Sequence, residues 1–290
     1  MANLKEIRER ISSVDSTMQI TSAMKMVSAA KLKRAQDAIV QLRPYAEKLQ
    51  EILVNLTATL EGENDGAYGE IRDVNKVLIV AINSNRGLCG GFNANIHKAV
   101  KKLISDNYSE LAANGGVDVM GIGKKASDFF TTEGYNVLRK ESLYSDLSFE
   151  NVAEVAEQLM DSFIEGSYDE IKIVYNKFKN AASQVVTVEQ FLPVEPVEGE
   201  NNSSTEYIYE PNKEYIVGEL IPKSLKTQLY KGILDSHASE HGARMTAMHS
   251  ATDNAAALKN DLKLTYNKAR QAAITTEILE IVAGAEALNG

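Results

Sequence analysis

A regular spacing of apolar side chains opens the chain. Steps of three and four alternate through Leu4, Ile7, Ile11, Val14, Met18, Thr21, Lys25, Ser28, Leu32, Ala35, Ile39, Leu42, Ala46, Leu49, Leu53, Leu56 and Leu60. Only Thr21, Lys25 and Ser28 break the apolar series. A mean period of 3.5 held over this length predicts a left-handed coiled coil, not a single amphipathic helix on a globular core. Residues 2–60 would extend for about 90 Å. Pro44 removes one backbone hydrogen bond, but the seam resumes at Ala46 and Leu49, so a kink is expected there and not an end.

The pattern changes after "EGENDGAYGE" (61–70), whose Gly and Asn residues stop the helix. Short apolar runs at 76–82 ("KVLIVAI"), 117–123 ("VDVMGIG") and 135–139 ("YNVLR") read as strands. Helical patterns follow them near 93–106, 124–133 and 149–166. Two further strands, 170–178 and 183–194, are separated by a short turn and predict an antiparallel hairpin. Strands alternating with helices imply a mainly parallel sheet covered on both faces.

A third pattern fills the rest of the chain. Pro222 suits the first turn of a helix. Apolar positions then run through Leu225, Leu229, Ile233, Met245, Met248, Ala255, Leu258, Leu262, Tyr266, Ile274, Ile278, Ile281, Ala285 and Leu288 without another proline. Unbroken, 222–288 would span roughly 100 Å. The expected fold is α/β: a long antiparallel two-helix coiled coil made by the two ends, plus a central Rossmann-like domain. The divisions fall at 1–60, 61–214 and 215–290. The middle part carries an acidic loop at 195–212 that has no basic residue. Two helices of similar length should place both termini together at one end.

Composition narrows the chemistry. The chain has 290 residues, a net charge of −9, no Trp and one cysteine, Cys89, so no intramolecular disulfide can form. His237 and His241 share a helix face at i, i+4, but no third metal ligand accompanies them. No apolar run reaches the roughly 18 residues a membrane span needs. The N-terminus "MANLKEIRER" lacks the apolar core of a signal peptide, and its two Glu argue against a transit peptide. A soluble chain on the cytosolic side is expected, meeting a membrane only through partners. A nucleic-acid partner does not fit an acidic chain with few aromatics near its basic cluster.

Two stretches could carry function. "SNRGLCGGFN" (84–93) lies between a strand and a helix, where a glycine-rich turn can cradle a phosphate. Its glycines do not match GxGxxG and no GK[ST] follows, so a tight turn packing locally or against a subunit is preferred. "ITSAMKMVSAAKLKRAQ" (20–36) has four basic side chains (Lys25, Lys31, Lys33, Arg34) and no acidic one. There the seam turns small or polar, while Ile20, Met24, Met26 and Val27 fall at outward positions. A deformable, cationic, methionine-rich patch on an acidic protein points to an acidic protein partner. No nucleophile elbow, metal cluster or paired acid–base carboxylates suggest catalysis.

These residues resemble a known family. "LKEIRERISSVDSTMQITSAMKMVSAAKLKRAQ" closely resembles the first helix of the F-type ATP synthase gamma subunit family. "ARMTAMHSATDNA" (243–255) and "YNKARQAAITTEILEIVAGAEAL" (266–288) resemble its last helix. Ile274, Thr275, Glu277, Glu280, Gly284 and Ala285 meet that helix's pattern. "SNRGLCGGFN" is similar to the family's middle-domain turn, with Asn85 where the family usually has Asp.

The resemblance implies a non-catalytic rotor with no cofactor. One copy would sit in the cavity of a hexamer of alternating alpha and beta subunits. Its α/β domain, with the epsilon subunit, would dock on the membrane-embedded c ring at the inner face of a bacterial plasma membrane. Ion flow would turn the ring and the helices and drive the nucleotide sites through their conformations in sequence. Residues implied to meet partners are Met24, Lys25, Lys31, Lys33, Arg34 and Arg86 together with Arg244, Gln271, Thr275 and Glu277. Met24 and Lys25 would lie near acidic beta-subunit loops, opposite Arg244 and the 271–277 group. Two rival readings are a dinucleotide-dependent enzyme and a free-standing coiled-coil scaffold. Nucleotide binding by a 70–215 fragment would favour the first, and a stable homodimer the second.

Overall fold

A computed structural model describes residues 4–58, 68–194 and 213–289 of the chain. The acidic segment 195–212 and the last predicted seam position, Leu60, lie outside them. The elements in order are α1 (Leu4–Ala58), β1 (Val77–Ile82), α2 (Phe92–Asn107), α3 (Ser109–Ala113), β2 (Val117–Ile122), α4 (Lys124–Thr132), β3 (Asn136–Arg139), a 3₁₀ turn (Glu141–Ser145), α5 (Phe149–Ile164), β4 (Glu170–Phe178), β5 (Gln184–Leu192) and α6 (Lys213–Asn289). The chain divides into two compact units. One comprises residues 1–28 and 245–290, the other 29–244.

In the first unit α1 and α6 run antiparallel. Arg8 Nη2 donates to Tyr266 Oη at 2.8 Å, and Lys259 Nζ pairs with Asp15. The Thr21 and Thr252 hydroxyls meet at 2.8 Å. Each step forward along α1 is thus matched by an equal step back along α6. Every predicted seam position from Leu4 to Ser28 is buried or half-buried, Thr21, Lys25 and Ser28 included. Small and polar layers replace apolar ones there, and they are satisfied: Thr21 pairs across the helices, and Ser28 Oγ donates to Met24 O at 2.8 Å.

The α6 half of this seam differs from expectation. Its covered positions are Met245, Met248, Thr252, Ala255, Lys259, Leu262, Tyr266 and Ala269, again in steps of three and four. Leu258, expected in the seam, is exposed, and Lys259 takes the inward place because Asp15 faces it. The two helices are also unequal, with 55 and 77 residues. By the register just described, the start of α1 lies level with about residue 270. The rest of α6 runs on alone for roughly 30 Å. The expectation of two helices of similar length is therefore corrected.

The second unit is built on a five-stranded sheet of order β3-β2-β1-β4-β5, parallel except for the β4–β5 hairpin. Alternation along β1 directs its two faces to different helices. Leu78, Val80 and Ile82 pack with α5 (Val152, Leu159, Phe163) and with α6 (Ile221, Leu225, Leu229, Ile233). Val77, Ile79 and Ala81 pack with α2 (Ile96, Val100, Ile104) and α4 (Ala126, Phe130). Ser148 caps α5, its Oγ accepting from Asn151 N at 3.3 Å.

Both prolines in long helices are interior. α1 continues through Pro44 as expected, whereas Pro222 does not begin α6, which starts at Lys213. The early part of α6 is also not coiled coil. Its four-residue apolar spacing from Ile221 to Ile233 forms one layer of the sheet domain. In this unit Lys31 lies within electrostatic reach of His237, Glu240 and His241, and Arg43 of Asp235.

Candidate interaction site

In a doubly wound sheet, ligands enter the crevice outside the carboxyl ends of the strands where the order reverses. Here that point lies between β1 and β4, and α6 occupies it. Gly232 brings the helix backbone against the Tyr175 ring and Ile82, since a Cβ on it would stand 3.6 Å from Tyr175 Cδ1 and 3.8 Å from Ile82 Cδ1. Ser236 Oγ donates to Ile82 O at 3.5 Å, and Ser239 Oγ to Asn176 O at 2.9 Å. Residues 232, 236 and 239 share one helix face, and all three are small. The crevice is filled by the chain itself.

The glycine-rich turn is also turned toward α6. Arg244 Nη2 donates to the carbonyls of Arg86 and Gly87, each at 3.2 Å, while its Nη1 meets Glu240 Oε1 at 2.6 Å. A phosphate loop points N–H groups at its guest. This turn offers two carbonyls to a guanidinium, the opposite polarity. The preference for a packed turn over a phosphate cradle is thereby given a partner, Arg244, which is 8% exposed. Asn85 belongs to the same architecture. Its Oδ1 accepts from Lys124 N at 2.8 Å, capping α4, and its Nδ2 donates to Glu141 O at 3.2 Å. An aspartate at this position could make the first bond and not the second.

Behind Arg244 lies a histidine pair. Arg244 Nη1 stands 3.4 Å from His241 Nδ1, and His241 Nε2 stands 3.1 Å from His237 Nε2. A guanidinium can only donate, so His241 Nδ1 accepts and its Nε2 carries the proton. That proton points at His237 Nε2, which places the His237 proton on Nδ1. Both rings are neutral in this arrangement. Burial pushes the pKa of His237 down to about 4 and that of His241 to about 3, and the nearby Lys31 and Arg244 act in the same direction. Burial raises the Glu240 carboxyl above its ordinary value even with Arg244 beside it. The i, i+4 histidines thus serve an internal hydrogen-bond chain. No group of three metal-binding side chains occurs among the described residues.

The remaining sequence candidates separate by unit. In the first, Met24 and Lys25 are half-buried on α1, and Ile20 (61%), Met26 (65%) and Val27 (57%) are the exposed apolar residues beside them. The outward placement predicted for Met24 is therefore only partial. Gln271, Thr275 and Glu277 are exposed on the part of α6 beyond the start of α1. The register sets Met24 level with about residue 250, so the expectation that it stands opposite Gln271, Thr275 and Glu277 is corrected. They are separated by more than twenty residues of helix, roughly 30 Å along the axis. In the second unit Lys31, Lys33, Arg34 and Arg86 are exposed, and Lys33 pairs with Asp37 at 2.7 Å.

Residues 271–287 are exposed throughout, with Ile274, Ile278, Leu279, Ile281 and Val282 among them. A monomer rarely leaves so apolar a surface uncovered. The seam-like spacing of these isoleucines places them, by sequence, in the helix pair. Only the offset between the helices shows that nothing in the described chain covers them.

A helix pair with an uncovered apolar end, joined to a Rossmann-like sheet whose crevice the chain's own helix fills, defines a coiled-coil and α/β class of protein. Known proteins make that class specific. The chain belongs to the ATP synthase gamma chain family: the ATP synthase family model matches residues 3–288. It is 64% identical to the ATP synthase gamma chain of Flavobacterium johnsoniae and 54% identical to that of Cytophaga hutchinsonii, each aligned over 100% of both chains. Among solved structures it resembles a chain of the Tetrahymena thermophila mitochondrial ATP synthase central stalk and c ring. There the TM-score is 0.58 and the identity 26%, covering 80% of this chain and 99% of that one. It shares its fold with a chain of the Euglena gracilis mitochondrial ATP synthase, with TM-score 0.73 and 23% identity over 98% of this chain and 94% of the other. Family membership makes this chain a rotor subunit of the central stalk, without catalytic chemistry of its own.

Proposed function

We propose that one copy of this chain turns inside a hexamer of alternating alpha and beta subunits, with an epsilon subunit beside its α/β domain and a c ring against that domain. In this reading the helix pair of α1 and the part of α6 from Met245 onward forms the stalk, and the sheet domain, with residues 221–233 of α6 as one of its layers, meets epsilon and the ring. The observation that carries the proposal is the uncovered apolar end of α6, residues 271–287, which a surrounding subunit cavity would cover. Gln271, Thr275 and Glu277 would supply its polar contacts. Met24 and Lys25 in the first unit would meet acidic beta-subunit loops, as would Lys31, Lys33, Arg34 and Arg86 in the second. Arg244, already engaged inside the chain, would act through the turn it holds.

Ion flow would turn the ring and the stalk together. The changing side of the helices would then force the nucleotide sites of the hexamer through different conformations, in synthesis or, reversed, in hydrolysis. Location at the cytoplasmic face of a bacterial plasma membrane, reached only through the c ring, is supported by the bacterial relatives. No described helix is long and apolar enough to cross a membrane.

Affinity capture of the tagged chain from its own cells, followed by mass spectrometry, tests the assembly. Alpha, beta and epsilon subunits should co-purify, with one copy of this chain for three alpha and three beta. Capture without any alpha or beta subunit would sink the proposal.

A further inference from the structure

Leu88 is the one non-glycine residue among those described with a left-handed backbone, at φ 62°, and its side chain is 66% exposed. A branched apolar residue adopts this conformation only when its surroundings hold it there. It also gains nothing from burial, so local packing of its own side chain does not hold it. The holding contacts lie just before it. The Arg86 carbonyl takes the Ser84 hydroxyl at 2.6 Å and Arg244 Nη2 at 3.2 Å, and Gly87 O takes the same Nη2. Just after it, Cys89 is buried, its Sγ 3.2 Å from Asn93 Nδ2. Arg244 is itself fixed by Glu240 and His241.

We propose that Arg244 is the positioning residue of this turn: by clamping two consecutive carbonyls it keeps Leu88 in its strained conformation and projects the Arg86 guanidinium and the Leu88 side chain outward as one rigid, cationic and apolar prong. One guanidinium nitrogen donates to both carbonyls while the other holds Glu240, a division of donors that a single ammonium nitrogen cannot reproduce over the same span. What the prong meets rests on the function proposed above, where it faces an acidic surface of the surrounding hexamer. The clamp itself does not depend on that reading.

Cys89 supplies the measurement, because it is the sole thiol of the chain and lies under the turn. Opening the turn exposes it. In the full chain, maleimide labelling of Cys89 should be slow in the wild type. It should rise at least about tenfold in Arg244→Met/Glu240→Gln, where the second change avoids leaving a buried carboxylate unpaired. The acceleration should depend weakly on urea, as local opening does. Adding Leu88→Gly, which removes the need for the clamp, should bring labelling back toward the wild-type rate. Unchanged labelling, or a urea dependence equal to that of global unfolding, would overturn the clamp and leave Arg244 merely a stabilising residue. In reassembled complexes the clamp variant should pump fewer ions per ATP hydrolysed. Fast local labelling with normal pumping would keep the clamp and remove the turn from the hexamer contact.

Discussion

At the scale of single residues, the second unit depends on two histidines that stay uncharged. Near them are Lys31 from α1 and Arg244 from α6, with Glu240 paired to Arg244, and the Tyr144 ring stacked on His237. Both imidazoles titrate well below the unfolded value of 6.5. Between about pH 4 and 6.5 the unfolded chain therefore binds more protons than the folded one, so stability rises with pH through that window. The full contribution is present above 6.5 and is lost as pH falls toward 4. Urea midpoints of the full chain should drop between pH 6.5 and 5, above the range where ordinary carboxylates titrate. His237→Gln/His241→Gln should flatten most of that drop. An unchanged slope would show that the pair is charged or solvated in the folded state. The i, i+4 spacing was legible in the sequence, but its role was not. The arginine that sets the tautomers is three residues on, and its burial depends on a turn more than 150 positions away.

At the scale of elements, α6 changes its work along its length without a break in its backbone. From Ile221 to Ile233 it is a layer of the sheet domain, and from Met245 to Ala269 it is half of a helix pair. The elements that periodicity predicts match the structure closely: all five strands and the hairpin lie where the apolar runs place them. Two short pieces, α3 and the 3₁₀ turn, have too few residues to show a period. On α6 the apolar pattern points to Leu258 for the seam, whereas Lys259 occupies it. An aspartate on the facing helix reverses that choice, and no pattern within one segment reports what faces it. Leu229→Ala should cost about 2–5 kcal/mol, since that side chain is fully buried in the sheet core. Leu258→Ala should stay within about 0.5 kcal/mol in chemical denaturation. Equal losses at the two sites would contradict the register.

At the scale of the molecule, the chain leaves uncovered what a partner would cover. The apolar end of α6 and the stripe of Ile20, Met26 and Val27 on α1 are surfaces that a free monomer has no reason to keep. Met24 borders the second of these. Because it is half-buried, a charged replacement can swing toward solvent without opening the seam. Met24→Lys should lower the melting temperature of the isolated chain by only a few degrees. In the assembled complex it should reduce ATP-driven ion pumping far more than ATP hydrolysis. Loss of folding at the same position, or wild-type pumping, would mean that Met24 packs against α6 and does not face the hexamer.

The sequence alone determined the elements, the mixed sheet between two long helices, and the family. Each of those rests on local periodicity or on contiguous motifs. Tertiary structure alone decided how the helices are offset, which residues fill the crevice at the strand ends, and where the glycine-rich turn points its carbonyls. Those facts depend on groups far apart in the chain meeting with the right polarity: Asp15 with Lys259, Thr21 with Thr252, Arg244 with Arg86 and Gly87. Hydrophobic period specifies that a face is buried, because burial is non-directional. It cannot specify against what, because directional bonds are made only once the backbone has brought both ends together.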